Sequence, residues 1–230
     1  MYRYQLKIQL LSDTTFGRGD GVAGLVDQEV EHNAYGFPFL RGRTLKGLLS
    51  EECDNLIAVL SDNNTQCYWQ KVACAVFGTP GSHLGTMGAV HLGDACLPDD
   101  LREAVAYQVQ DGILTKTEVL ESLTTIRRQT AMNPNGTPEP GSLRSFRVVI
   151  RQLHFTAKLY FETNQVKVDG ILIPLEEMLS LLAVGALALR HLGSGRNRGR
   201  GYIQCTLCDA QGNDLTERYL GDFGTTKEAV

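Results

Sequence analysis

The stretch Gly36-Phe37-Pro38-Phe39-Leu40-Arg41-Gly42-Arg43-Thr44-Leu45-Lys46-Gly47-Leu48-Leu49 decides how the rest of this 230-residue chain is read. It runs as an extended entry, a glycine turn and then a helix. Thr44 is the expected N-cap, because its hydroxyl can accept from an orphan N–H of the first turn. Leu45, Leu48, Leu49, Leu56 and Ile57 recur at helical spacing and carry the helix to about Leu60. Arg41, Arg43 and Lys46 crowd its start. Cations beside a positive dipole end repel one another unless an anion lies among them, and phosphate is the obvious anion.

A second stretch carries the same chemistry near the other end. Leu192-Gly193-Ser194-Gly195-Arg196-Asn197-Arg198-Gly199-Arg200-Gly201 follows an apolar helix expected over Glu176 to His191 and precedes a strand expected over Tyr202 to Leu207. Glycines let a backbone approach a ligand, and arginines between them supply forks for phosphate. A cationic helix C-cap is the plainer reading of such a loop.

Together the two stretches resemble the RAMP superfamily of CRISPR effector proteins, and within it the backbone subunits of type III complexes, the Cas-seven group of Csm and Cmr assemblies. Those proteins carry V-D-x-x-V ahead of G-x-P-x-[IL]-x-G-[ST]-[ST]-L-K-G. The matching residues are Val26, Asp27 and Val30, then Gly36, Pro38, Leu40, Gly42, Thr44, Leu45, Lys46 and Gly47. The glycine-rich loop Gly193 to Gly201 and the segment from Ile126-Arg127-Arg128 to Ser142-Leu143-Arg144 are similar as well. An acidic residue is common in the family where Arg127 stands.

The resemblance implies an α+β, ferredoxin-like (RRM-like) core with an inserted thumb hairpin and a glycine-rich C-terminal loop. It implies one RAMP domain over 1–208, an insertion at about 115–150, and a polar C-terminal tail over 209–230. It implies a guide-RNA-binding subunit that cuts complementary target RNA with a divalent metal ion, Mg²⁺ in the first instance, beside neighbouring type III effector subunits. Asp27 would be the catalytic residue. Arg41, Arg43, Thr44, Lys46, Arg127, Arg128, Arg144, Gly193, Gly195, Arg196, Arg198 and Arg200 would hold RNA. The same scaffold without cleavage, or an endoribonuclease that matures guide RNA, are the alternatives.

Composition bounds these readings. A net charge of −4 and a pI of about 5.7 exclude a uniformly basic nucleic-acid binder but leave room for a local groove. Half of the 22 Lys and Arg fall in four groups: 41/43/46, 127/128, 144/147/151 and 196/198/200. Acidic residues gather elsewhere, at Glu51/Glu52/Asp54 and Asp99/Asp100, so a polarised surface is expected. No apolar run approaches the roughly 20 residues that span a bilayer, and a cytoplasmic location is expected. The six cysteines read as buried thiols. Cys205 and Cys208 should point to opposite faces of a strand, and a zinc site from Cys53, Cys67 or Cys74 with His83 fits no standard spacing.

Along the chain, Tyr4 to Leu10 alternates as a half-buried strand. Thr14 to Gly24 is a glycine-rich loop without the ending of a Walker loop. Ser61 to Gln66 reads as a loop and Val72 to Phe77 as a helical turn. Ala89 to Leu97 reads as a strand and Asp99 to Asp111 as a helix, with proline and acids in the favoured first turn. Ala131 to Gly141, rich in Pro and Gly, is a loop, either a thumb over RNA or a disordered surface loop. Phe155, Ala157, Leu159 and Phe161 share one strand face. Asp27 lies between the glycine loop and the cationic motif, where a carboxylate could hold a metal or orient a ribose 2′-OH, and a turn aspartate is the plainer reading. Asp20 and His32 are its nearest competitors.

Overall fold

A computed structural model of the chain describes residues 1–79 and 87–224, so His83, the partner in the disfavoured zinc reading, lies outside the described residues. The chain opens with β1 (Tyr2–Leu10), then α1 (Gly42–Ala58), α2 (Asn63–Phe77) and β2 (Val90–Cys96). Next come α3 (Asp99–Gln110), α4 (Lys116–Leu123), β3 (Thr124–Gln129), β4 (Arg144–Val149) and β5 (His154–Phe161). The hairpin β6 (Gln165–Val168) and β7 (Ile171–Pro174) leads into α5 (Leu175–Ala188), β8 (Ile203–Asp209) and α6 (Thr216–Leu220).

The main sheet has the order β2-β5-β1-β8, with every pairing antiparallel. Set the inserted elements aside and the order is β1–α1–β2–β5–α5–β8, with the first and third strands central. This is the ferredoxin-like split βαβ arrangement. Strand alternation fixes its faces. Leu6, Ile8 and Leu10 of β1 and Phe155, Ala157, Leu159 and Phe161 of β5 are buried, while Lys7 and Lys158 point to the other side.

The helices pack on the buried face. Leu45, Leu49, Cys53 and Ile57 form the inner stripe of α1, and α5 is buried almost all round. The two helices cross closely at Gly185, where a Cβ would lie 2.5 Å from the Cys53 sulfur. Burial drives the thiols of Cys53 and Cys205 well above their usual range, which keeps them inert. Among the described residues no helix is long and apolar enough to cross a membrane.

Four expectations change. Thr44 is not the N-cap: α1 starts at Gly42, Arg41 is the capping position without a side-chain bond, and Asp94 Oδ1 accepts from Gly42 N at 2.7 Å. The helix can begin there because Gly42 lies against β2, where a Cβ would sit 2.4 Å from Leu92 O. The expected loop at Ser61 to Gln66 is the start of α2, capped by Asp62, whose carboxylate accepts from Thr65 N at 2.7 Å. The insertion is longer than 115–150, since α3 also lies between β2 and β5.

The C-terminal segment is not a loose polar tail as far as Gly224. Tyr219 and Thr216 are buried, the Tyr219 carbonyl accepts from Ser180 Oγ at 2.8 Å, and the Phe223 ring lies 4.8 Å from Trp69. The segment covers α5 and α2 because those helices leave apolar surface that the sheet does not reach. Truncation after Asp209 should therefore lower stability by about 3–5 kcal/mol, taking roughly 1.5–3 kcal/mol for each large buried side chain. Urea unfolding followed by Trp69 fluorescence measures it, and an unchanged midpoint would restore the loose tail.

Candidate nucleic-acid interface

Helical geometry splits the cationic motif. Residues three, four and seven apart share a side of α1. Arg41, Thr44 and Leu48 line a cleft shared with Phe16, Ser194 and Arg196. Arg43, Lys46 and Gly47 line a different cleft, with Ser50, Cys74 and Phe77. The expected single cluster of Arg41, Arg43 and Lys46 is therefore two. Lys46 Nζ donates to Val90 O at 3.1 Å, and its half-buried position lowers its pKa. The Asp94 carboxylate already takes Gly42 N, the first free N–H of the helix start, and Arg41 is the cation of the motif on this side.

The glycine-rich loop is tied down at both ends. It contains one 3-10 turn, Arg196–Arg198, between Gly195 and Gly199 in left-handed conformations. Gly193 lies so close to the 14–15 backbone that a Cβ would be 2.4 Å from Thr15 O, and at Gly201 a Cβ would meet Leu192 O. Ser194 N donates to Thr15 O at 2.9 Å, and Gln28 Nε2 donates to Ser194 Oγ at 2.7 Å. The arginines are thus held beside the segment that follows β1.

Three adjoining clefts of about 180, 410 and 340 Å³ form one run. The first and second share Gly193, Ser194 and Arg196; the second adds Gly195, Arg198 and Phe146; the second and third share Gln129 and Arg200. The third also carries Arg127, Arg128 and Arg151. Positive charge concentrates in the second and third clefts. Arg200 stacks its guanidinium 4.8 Å from the Phe146 ring centroid. Its pKa is lowered by burial first, and then by the Arg127 and Arg198 cations. Arg144 stands outside the run and donates to the carbonyls of Gly141 and Leu143 at the hairpin tip.

The sequence reading missed Phe16, Gln28, Gln129, Phe146, Ser194 and Arg151 as lining residues. Arg147, grouped by sequence with Arg144 and Arg151, is buried instead. Its guanidinium meets Glu29 Oε1 at 2.8 Å and Oε2 at 3.1 Å, and Nη1 donates to Thr124 Oγ1 at 3.3 Å. Strand alternation was the available signal, since it puts Arg147 on the face of Val149, opposite the groove-lining Phe146 and Val148.

Asp27 is exposed and clasps the start of β4. Its N–H donates to Ser145 O at 2.8 Å, and its Oδ2 accepts from Ser145 N at 2.6 Å. The second carboxylate oxygen carries no bond among the described residues. Asp20 is taken up by Arg18, with bonds of 2.6 and 3.1 Å that pull its pKa down. His32 is half-buried, with Nδ1 3.2 Å from Asn33 O. Among the described residues no three His, Cys, Asp or Glu side chains converge as metal ligands.

Residues 7–204 match the sequence profile of the RAMP superfamily. The chain belongs to the RAMP superfamily. No curated protein sequence matches this RAMP protein significantly. Among solved structures it is similar to a chain of the cryo-EM structure of type III-B Cmr-beta bound to cognate target RNA, with TM-score 0.57 and 12% identity over 96% of this chain and 99% of that one. It is likewise similar to a chain of Cmr-beta in the apo state, with TM-score 0.56 and 12% identity over 90% and 97%. At such identity these likenesses speak for the fold.

The buried pair beneath the RAMP groove gives a test. Glu29→Ala leaves Arg147 charged and buried without a counter-charge, which should cost about 3–5 kcal/mol in urea unfolding. Replacing both residues by Met should recover most of that loss. A single variant as stable as wild type would mean that water reaches Arg147.

Proposed function

We propose that this RAMP protein is a backbone subunit of a type III CRISPR ribonucleoprotein, holding guide RNA along the arginine-lined run and contributing Asp27 to cleavage of the paired target. The observation that carries the RNA reading is the lining of two adjoining clefts by Arg128, Arg151, Arg198 and Arg200, which form no ion pair among the described residues and whose charge a polyanion would neutralise. Phe146 beside the arginines adds aromatic surface suited to bases. The RAMP profile and the Cmr-beta likeness support placing the chain in such an assembly, with target RNA and neighbouring effector subunits as partners.

A resident divalent metal does not fit the side chains present. Asp27 is a single carboxylate with one oxygen committed to Ser145 N, and no ligand cluster surrounds it among the described residues. The uncommitted oxygen of Asp27 can accept a hydrogen bond from a target ribose 2′-OH and aim that oxygen in line with the adjacent phosphorus. The clasp to Ser145 also favours a second reading, in which Asp27 is a turn residue and the subunit a scaffold.

Two experiments separate these readings. Replacing Arg198 and Arg200 by Ala should weaken binding of unrelated single-stranded RNAs alike and flatten the salt slope by about 1.4, at roughly 0.7 per phosphate. Unchanged affinity and slope would remove the glycine-rich loop from the interface. Asp27→Asn keeps an oxygen to accept from Ser145 N, so complex assembly should persist. Cutting of labelled complementary RNA by the assembled complex should fall by about 100-fold or more. A 2′-deoxy target at the scissile position should resist the wild type equally. Undiminished cutting by the variant makes Asp27 structural, and loss of cutting on adding EDTA would bring a metal back in through the RNA itself.

A further inference from the structure

Three arginines of the run are already paired. Arg41 Nη2 lies 2.8 Å from Glu31 Oε2, Arg127 Nη2 lies 2.7 Å from Asp13 Oδ2, and Arg196 Nη2 lies 2.9 Å from Glu51 Oε2. The carboxylates come from separate places: the segment after β1, its far end before the motif, and α1. Two of them are themselves anchored or sheltered. Asp13 Oδ1 accepts from Arg151 N at 3.2 Å, and the Glu31 side chain is only 14% exposed. Arg198 and Arg200 make no ion pair among the described residues.

Ion pairs whose guanidinium is open to solvent, as for Arg41 and Arg127 at 60% and 58%, add little to stability. A phosphate can therefore take over the arginine. The displaced carboxylate stays tethered beside the phosphate and repels it. Among the described residues Arg198 and Arg200, with Arg128 and Arg151 of the third cleft, offer phosphate a guanidinium without such a competitor.

We propose that Asp13, Glu31 and Glu51 are affinity-setting residues of the groove, competing with RNA phosphate for Arg127, Arg41 and Arg196. The inference rests on the RNA-binding reading above. Its consequence is selectivity. A lone subunit holds arbitrary RNA weakly, at the unguarded arginines, and tight binding is reserved for a strand held at several places at once, where local concentration offsets the repulsion. A discriminating groove built in this way uses repulsive elements as well as attractive ones.

The test uses the purified full-length chain and a labelled oligouridylate, with affinity measured at fixed salt. A unit charge about 6 Å from a phosphate in a water-like dielectric changes affinity about threefold. Glu51→Gln should tighten binding by about that factor, and Asp13→Asn, Glu31→Gln and Glu51→Gln together by roughly tenfold to thirtyfold. Neutralising Glu103, Asp111 and Glu162, all exposed and none of them lining the run, makes the same change in net charge and should have less than half the effect. In an Arg196→Ala background the gain from Glu51→Gln should disappear, which a general charge effect would not produce. Glu51 is on the surface of α1, so its single variant decides the matter even if the triple variant folds poorly. Wild type that binds while Glu51→Gln does not tighten overturns the guard and leaves the RNA reading standing. So does an equal gain from the control set, or a gain that survives Arg196→Ala. Retention of RNA by neither wild type nor any variant overturns the RNA reading and the guard with it.

Discussion

The groove depends on one buried ion pair. Glu29 and Arg147 are both removed from water, joined by two bonds, and supported by neighbours: Glu29 accepts from Val30 N, and Arg147 donates to Thr124. In a low dielectric either charge alone is costly, so the segment after β1 has to pass β4 in the register that brings them together. That register is shared by backbone bonds from Thr14 to Val149 and from Arg147 to Gln28. With Glu29 turned inward, Asp27 reaches Ser145 and Gln28 reaches Ser194. One internal contact thus joins the inserted hairpin, the glycine-rich loop and the segment carrying Asp27, three regions that do not share a sheet.

Charge is arranged on this frame in two layers. The inner layer is the group of unpaired arginines, Arg128, Arg151, Arg198 and Arg200, in the second and third clefts. The outer layer consists of arginines leaning on carboxylates from other parts of the chain. A net charge of −4 is consistent with such a groove because the acids are partly spent on holding it. At the start of α1 a carboxylate of the RAMP core, Asp94, already holds the first free N–H, that of Gly42.

What sequence made legible is what local pattern controls. Alternation in β1 and β5 identified the buried face, and the leucine spacing identified α1. The glycines of the 193–201 loop announced a backbone that no other residue could follow. What it hid depends on distance along the chain. Nothing near Thr44 indicates that a carboxylate fifty residues on takes the capping role. Counting arginines could not tell Arg41 from Arg43, which point to different clefts, or show that Arg147 is interior. Other misses were local signals passed over. Asp62 followed by Trp69, Val72, Ala73 and Val76 is a capped amphipathic helix, and Asp169-Gly170, both with positive φ, is the turn of the β6–β7 hairpin. Tyr219 and Phe223 were absorbed in a segment read as a polar tail because the surface they cover belongs to α5 and α2.

The clefts of the run draw all their cationic side chains from arginine among the described residues; Lys46, the lysine of the motif, faces elsewhere. A guanidinium keeps its charge across the whole physiological pH range and offers no amine to acetylating enzymes. The grip of this surface is therefore insensitive to acidification and closed to the commonest covalent means of discharging a basic patch. Ionic strength and the competition of neighbouring carboxylates remain as the influences able to loosen it.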